Sequence, residues 1–164
     1  MFNKILFASD GSAESEHALA LVRHLAIEDG ADVEIVHVRE YRLGPRSAME
    51  RTDESSTERE AAVHKQAKEL AASGIVAELT VASSTPDGLA AALAEHAEGI
   101  GADAIVAGAD LHPAYGVTTG RTVTQQLVLI SPCPVIVVPL RTSVPRSTEA
   151  TRTAAASFER SGSR

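Results

Sequence analysis

The sequence predicts a single α/β domain, a three-layer sandwich in which a five-stranded parallel sheet lies between two layers of helices. Short apolar runs alternate with segments whose apolar residues recur every three or four positions, which is typical of buried strands separated by amphipathic helices. The length of 164 residues suits one domain, and 44% hydrophobic residues with 3% aromatics predict an aliphatic core. Right-handed crossovers and a reversal of winding at the first strand predict the strand order 3-2-1-4-5.

The individual elements follow from local patterns. The predicted strands are residues 4–9, 33–38, 75–82, 103–108 and 135–139. The predicted helices are residues 13–29 and 54–73, a segment starting at Pro86, and residues 118–130. Ser12 and Thr85 are the expected N-caps of the first and third helices. Residues 39–53 are polar and long for a connection, so we expect an irregular segment there. The third strand alternates more than the others, as an edge strand does.

The C-terminal segment differs in composition from the rest of the chain. We expect a domain over residues 1–140 and a flexible tail, rich in Arg, Ser, Thr and Ala, over residues 141–164. The tail carries five arginines and two glutamates, whereas the whole chain has a net charge of −7. A basic tail on an acidic body suits either an anionic partner or simple solvation, and both alternatives stay open.

Composition argues against several classes of function. The net charge of −7 disfavours nucleic acid as the main partner. No apolar run approaches the ~18 residues of a membrane span, and no secretory signal is visible, so we expect no membrane partner. Cys133 is the only cysteine, which excludes an intrachain disulfide and favours a cytoplasmic protein.

The histidines show no spacing typical of a metal site, so we interpret them as surface or interface residues and expect no bound metal. They are His17, His24, His37, His64, His96 and His112.

A ligand crevice is expected beyond the carboxyl ends of the first and fourth strands, where the sheet changes winding direction. Asp10 follows the first strand, Val38 the second, and residues 108–111 the fourth. The carboxylate of Asp10 suits either of two roles. It can bind the base or sugar of a ligand, or a metal, or it can stabilise the start of the first helix together with Ser12.

Patterns typical of well-known catalytic and nucleotide sites are missing from this crevice. The segment after the first strand reads "ASDGSAES", which is neither a dinucleotide fingerprint nor a P-loop. A phosphorylated receiver domain would require further acidic residues beside Asp10, and there are none. None of the serines has an obvious base that could activate it as a nucleophile. No residue is therefore assigned a catalytic role, and we expect a protein that is not an enzyme.

With these residues in place, the chain resembles the universal stress protein family from Lys4 to Leu140. The resemblance rests on "KILFASDGSAES", "VEIVHV", "DAIVAGAD" and "SPCPVIVVP" in this order. It implies a cytoplasmic protein of the adenine nucleotide alpha hydrolase-like fold, usually a dimer, that acts in stress survival. One branch of the family binds ATP or AMP, and another does not.

The nucleotide-binding branch carries G-x2-G-x9-G-[ST] after the fourth strand. Gly108 matches the first glycine, but Leu111 stands at the position of the second. Gly120 comes one residue early, and Arg121 replaces the hydroxyl residue, although Thr122 follows.

The adenine end of the motif is better matched. Ala8 and Asp10 match the first-strand positions that flank the base in that branch, and Val38 matches the second-strand position. Together with the residues matched after the fourth strand, the nucleotide-binding candidates are Ala8, Asp10, Val38, Gly108, Gly120, Arg121 and Thr122.

The phosphate half of this motif is predicted to be eroded. A glycine lets phosphate oxygens reach backbone N–H groups, and Leu111 does not. Arg121 can pair with a phosphate and restore one contact. We therefore expect weak or no ATP binding and no cofactor, with bound ATP or AMP as the alternative.

The last predicted strand is short, apolar and at the end of the sheet, where an uncovered edge invites pairing. We therefore expect a homodimer in which this strand pairs with its copy, as the resemblance also implies. The interface residues would be Val135, Ile136, Val137 and Val138.

Three hypotheses remain. The first is a non-enzymatic regulatory or stress-survival protein that acts as this homodimer on unidentified protein partners. The second is an ATP- or AMP-binding protein with possible slow ATP hydrolysis. The third is a protein that binds an anionic partner through its arginine-containing tail, residues 141–164.

Overall fold

The computed structural model describes residues 1–43, 49–51, 55–109 and 122–140. Its strands are β1 (Lys4–Ala8), β2 (Asp32–Leu43), β3 (Met49–Arg51), β4 (Ala77–Ser84), β5 (Ala104–Gly108) and β6 (Val135–Val138). Five of them form a parallel sheet in the order β4-β2-β1-β5-β6. This is the predicted order, with β4, β5 and β6 as the third, fourth and fifth predicted strands.

The segment between the second strand and the second helix is more regular than expected. β2 continues to Leu43, and β3 pairs with it antiparallel, so that Tyr41 lies opposite Arg51. The prediction of an irregular segment was therefore wrong for residues 39–43 and 49–51. Part of the reason is a contact between strands. Arg39 and Glu40 lie in register with the last two residues of β4, and this pairing extends β2 beyond its apolar residues.

Four α-helices in the described residues cover the sheet. They are α1 (Ala13–Asp29), α2 (Ser55–Ala72), α3 (Leu89–Ile100) and α4 (Val123–Ile130). The hydroxyl of Ser12 accepts a hydrogen bond from the Ser15 N–H at 3.3 Å, and Gly30 ends α1 with a φ of +68°. Both ends of α1 were predicted, because an N-cap hydroxyl and a left-handed glycine are strong local signals.

Two other helix starts differ from the prediction. Thr85 makes no side-chain cap, because a 3₁₀ turn over Pro86–Gly88 comes before α3. α4 begins at Val123 rather than at residue 118, since Thr122 is extended and its hydroxyl accepts from the Gln125 N–H at 3.2 Å. The Gln125 side chain accepts in return from the Thr122 N–H at 3.2 Å, which completes a capping box.

The helices pack in pairs on the two faces of the sheet, as predicted. Alternate residues of the central strands point to opposite faces. Ile5, Phe7 and Val33 pack against α1 and α2, whereas Leu6 and Val36 pack against α3 and α4. Both faces of the central strands are thus buried in an aliphatic core.

No helix in the described part of the chain is long and apolar enough to cross a membrane. The predicted tail, residues 141–164, and with it the predicted domain boundary, lies outside the described residues.

Candidate functional site

The structure brings four of the predicted nucleotide-binding residues, Ala8, Asp10, Val38 and Gly108, to the carboxyl end of the sheet. Ala8 ends β1 opposite Val36, and Gly108 ends β5 opposite Val138. Val38 packs with Ala8 against the core under α3 and α4. It lies inside β2 rather than after it, because that strand is longer than predicted.

The remaining candidates lie in or beside the segment after β5. Thr122 is the N-cap of α4. Gly120, Arg121 and Leu111 lie outside the described residues, so their predicted roles stay predictions.

The carboxylate of Asp10 has two partners from the protein itself. Its Oδ1 accepts from the Ser12 N–H at 2.9 Å, and its Oδ2 lies 3.2 Å from Nη1 of Arg59 on α2. The first contact is the helix-start role that the sequence offered as one alternative. Arg59 was not expected, because nothing in the sequence links α2 to the end of β1. Both side chains are 54% exposed, so water screens the pair.

Gly108 is required by packing. A Cβ atom at this position would lie 2.6 Å from the carbonyl carbon of Glu14, in the first turn of α1. The absence of a side chain therefore lets α1 sit directly on the end of β5. The close packing of α1 on β5 therefore explains why a glycine stands at the first position of the nucleotide motif, independently of any ligand.

A buried polar network lies directly beneath the crevice on the side of α1 and α2. The Ser9 hydroxyl donates to Oε1 of Gln66 at 2.6 Å, and Nε2 of Gln66 donates to Oε2 of Glu16 at 3.1 Å. Nδ1 of His37 donates to the Ser9 carbonyl at 2.9 Å. Gln66 is fully buried, and Ser9 and His37 are almost so. The network joins β1, β2, α1 and α2 and fixes the backbone from which Asp10 projects.

The comparisons with known proteins agree with this architecture. A model of the universal stress protein family matches residues 1–139. The chain belongs to this family. The comparison with curated proteins gives no significant match.

Solved universal stress proteins share its fold. One from Burkholderia pseudomallei is 24% identical with a TM-score of 0.60, over 84% of this chain and 96% of that one. One from Archaeoglobus fulgidus in complex with dAMP is 21% identical with a TM-score of 0.59, over 83% and 97%. A third, in complex with cAMP, is 20% identical with a TM-score of 0.59, over 84% and 96%.

A second polar cluster of this universal stress protein lies under α3. Oε1 of Glu34 on β2 accepts from Nε2 of His96 at 2.6 Å and from the Thr80 hydroxyl at 2.9 Å, and its Oε2 lies 4.0 Å from Nζ of Lys4. Burial raises the pKa of Glu34, but the hydrogen bonds from His96 and Thr80 and the charges of His96 and Lys4 outweigh it. The pKa of Glu34 therefore lies below its ordinary value.

The prediction that the histidines lie at the surface was wrong for His37, which is buried beside Ser9. His96 is half-buried against Glu34. No group of histidine, cysteine and carboxylate side chains in the described residues has the arrangement of a metal site. The Cys133 thiol is free and half-buried.

The predicted dimer strand lies at the edge of the sheet, beside an exposed apolar surface. In the described residues β6 pairs with β5, and Val137 exposes 38% of its surface. α4 packs next to β6 and exposes three consecutive large apolar residues, which are Val128 (57%), Leu129 (65%) and Ile130 (51%).

Proposed function

We propose that this universal stress protein is a non-enzymatic stress-survival protein of the cytoplasm, which acts on other proteins as a homodimer joined through β6. The observation that carries the proposal is the exposure of Val137 on β6 together with that of Val128, Leu129 and Ile130 on α4, the helix next to β6. Clusters of exposed apolar side chains on a folded domain mark interaction sites. In the described residues, β6 is also an edge strand that pairs on one side only.

The position of this surface favours a second copy of the chain as its partner. Two β6 edges related by a two-fold axis can pair antiparallel, which makes this contact self-complementary and leaves neither β6 edge unpaired. The same pairing would bring Val137 and the α4 residue Leu129 of each protomer towards the partner. Burial of exposed valine and leucine side chains contributes about 1.5–3 kcal/mol each at full burial.

Weak or absent ATP binding is the second part of the proposal. The Asp10 carboxylate already contacts the Ser12 N–H and Arg59, so a ligand must compete with both. The Thr122 hydroxyl is used by the capping box of α4. Leu111 removes the close backbone approach that a glycine would offer to a phosphate.

The alternative is a protein that binds AMP or ATP in the crevice. It is favoured by the convergence of Ala8, Asp10 and Val38 at the carboxyl end of the sheet. Two proteins of similar fold were solved with dAMP and with cAMP. Calorimetry with ATP and magnesium, and separately with AMP, distinguishes the alternatives. A dissociation constant of about 10 μM or tighter, equivalent to roughly 7 kcal/mol of binding free energy, would favour the nucleotide-binding alternative.

The motif itself can be tested with a double variant. Leu111→Gly with Arg121→Ser restores a glycine and a hydroxyl to the two altered positions of the motif, and we expect it to strengthen nucleotide binding. Weaker nucleotide binding by the double variant would mean that Arg121 contacts the nucleotide and that the altered motif still forms a functional nucleotide site.

Sedimentation analysis at micromolar concentration tests the dimer. The wild-type chain should have the mass of a dimer, and Val137→Lys should shift it to a monomer, because it places two buried charges at the two-fold interface. Val81→Lys is a matched control, since Val81 is 37% exposed on β4 at the opposite edge of the sheet. A monomeric wild type, or a dimer unaffected by Val137→Lys, would contradict the proposal.

A further inference from the structure

A shallow apolar groove follows the edge of the sheet opposite β6, between α2 and β4. Its volume is about 370 Å³. The half-buried side chains of Ala67, Ala77 and Leu79 form its floor. The exposed side chains at its rim are His64, Lys68, Ala71 and Val81. We call these seven residues the β4 groove.

The backbone of β4 offers hydrogen-bonding groups beside this groove. The Val76 carbonyl accepts from the Val33 N–H of β2 at 2.8 Å. Since the N–H and C=O groups of successive residues in a strand point to opposite sides, those of Ala77, Leu79 and Val81 point away from β2. In the described residues β4 pairs with β2 alone. The same residues thus present apolar side chains to the groove and backbone groups to its open side.

In the described part of the chain, this edge lacks most of the features that usually prevent strand addition. Natural edge strands are blunted by proline, charged side chains (lysine above all), bulges or shortness. β4 is eight residues long, reads AELTVASS, contains neither proline nor lysine, and has Glu78 as its one charged residue. Val81 on β4 and Val76 just before it are 37% and 61% exposed. The edge is therefore both long enough and apolar enough to accept another strand.

The charge at the groove selects among possible strands. Its two ionisable residues are His64 and Lys68, both exposed and both on α2. Lys65, one turn away, is paired with Glu16 and Glu69 instead. A local basic rim on a chain of net charge −7 attracts an acidic segment and disfavours a basic one.

From these observations we propose that the β4 groove binds an extended acidic peptide segment of a partner protein. The segment adds to β4 as a further strand, places alternate apolar side chains on Ala67 and Leu79, and brings an acidic side chain to His64 and Lys68. Main-chain hydrogen bonds supply much of the affinity in this mode of recognition, and the pockets for alternate side chains supply specificity. The site is separate from the crevice and from β6, so a β6-linked dimer would present one β4 groove at each end.

Fluorescence anisotropy with two labelled octapeptides tests the proposal. Both alternate valine with threonine, and one ends in two glutamates where the other ends in two lysines. The acidic probe should bind at least about tenfold more tightly, and His64→Glu with Lys68→Glu should reverse the preference. Arg23→Glu, an exposed change on α1, is the control for net charge and should preserve it. Equal binding of the two probes, or binding of neither, would overturn the proposal.

The location of binding is tested by amide NMR and by an edge variant. The acidic probe should shift the amide signals of Ala77, Leu79 and Val81, and Val81→Lys should abolish binding. Val137→Lys at the other edge should leave binding unchanged. Shifts confined to β6 or to the crevice would overturn the assignment.

Two further results would identify a different occupant of the groove. Binding that appears only after removal of residues 141–164 would identify this chain's own C-terminal segment as the occupant. A higher oligomer that Val81→Lys dissociates would identify a second copy of the chain. Either result would overturn the proposal of a partner peptide.

Discussion

Gly108 at the end of β5 lies directly against Glu14 in the first turn of α1, at a distance that leaves no room for a side chain. A Cβ atom at position 108 would come within 2.8 Å of the carbonyl oxygen, the carbonyl carbon and the Cβ of Glu14. Two of these three atoms belong to the backbone of a helix, which cannot move aside as a flexible side chain can. The contact sets how closely α1 approaches the sheet beside the crevice.

Gly108→Ala should therefore destabilise the fold by about 1–3 kcal/mol, because α1 must shift away from β5. Gly99→Ala is the matched control, since a Cβ there meets nothing within 4 Å and alanine favours the helix. It should stabilise the protein by about 0.5–1 kcal/mol. Urea unfolding followed by circular dichroism measures both changes. A Gly108→Ala variant as stable as the wild type would mean that the close contact is not maintained in solution.

The two contacts of Asp10 can be separated by a pair of substitutions. Asp10→Asn keeps an oxygen for the Ser12 N–H but loses the charge that faces Arg59, and it should change stability by less than about 1 kcal/mol. Asp10→Ala loses both contacts and should cost more, about 0.5–2 kcal/mol, as the loss of a helix-start acceptor does. Equal effects of the two variants in thermal unfolding would show that the ion pair, rather than the helix start, gives Asp10 its structural role.

The Ser9–Gln66 hydrogen bond should show strong coupling in a double-mutant cycle. Gln66→Leu leaves the buried Ser9 hydroxyl without this acceptor and should cost about 1–3 kcal/mol of unfolding free energy. Ser9→Ala should cost a similar amount for the converse reason. The double variant removes both polar groups, so it should be less destabilised than the sum of the single variants by about 1 kcal/mol or more. Additive effects would contradict a direct buried contact between them.

The strand order was predictable from the sequence because it depends on features that every element repeats. β1 and β5 are short apolar runs, which indicates burial on both faces, and each helix has one apolar stripe. Winding rules then leave few topologies. β3 and the end of β2 carry no comparable signal, since residues 39–43 are mostly polar and are ordered in part by their register with Ser83 and Ser84.

The buried side chains of Glu34 and His37 and the start of α4 were missed although the sequence carries a signal for each. Glu34 and His37 are three residues apart on one strand, so they point to opposite faces of a sheet that is covered on both sides. Both must then be buried and hydrogen-bonded.

The spacing of Thr122 and Gln125 is a capping-box pattern and locates the start of α4. The partners of Gln66 had no signal, because only the packing of α2 on α1 brings them together.

The Glu34 cluster should make stability depend on pH at the acid end of the range. The pKa of Glu34 is lower in the folded protein than its ordinary value, because the hydrogen bonds from His96 and Thr80 and the charges of His96 and Lys4 outweigh burial. A carboxyl with a lowered folded pKa contributes stability that is complete above its unfolded pKa and is lost as pH falls through the folded pKa. The loss should therefore begin below about pH 4.3, the ordinary glutamate pKa, and continue as the pH falls further.

Glu34→Gln isolates this contribution. At pH 7 it should lower the unfolding free energy by about 1.5–3 kcal/mol, the range for hydrogen bonds to a charged group. The deficit relative to wild type should shrink in acid as the wild-type carboxylate protonates. Glu78→Gln is the control, because Glu78 lies beside Glu34 in register on β4 but is exposed to solvent. Its effect should be small at every pH. Urea titrations of the three proteins between pH 3 and pH 7 measure the difference. A deficit of Glu34→Gln that stays constant down to the lowest pH would contradict a lowered pKa, and a deficit shared by Glu78→Gln would indicate a general charge effect.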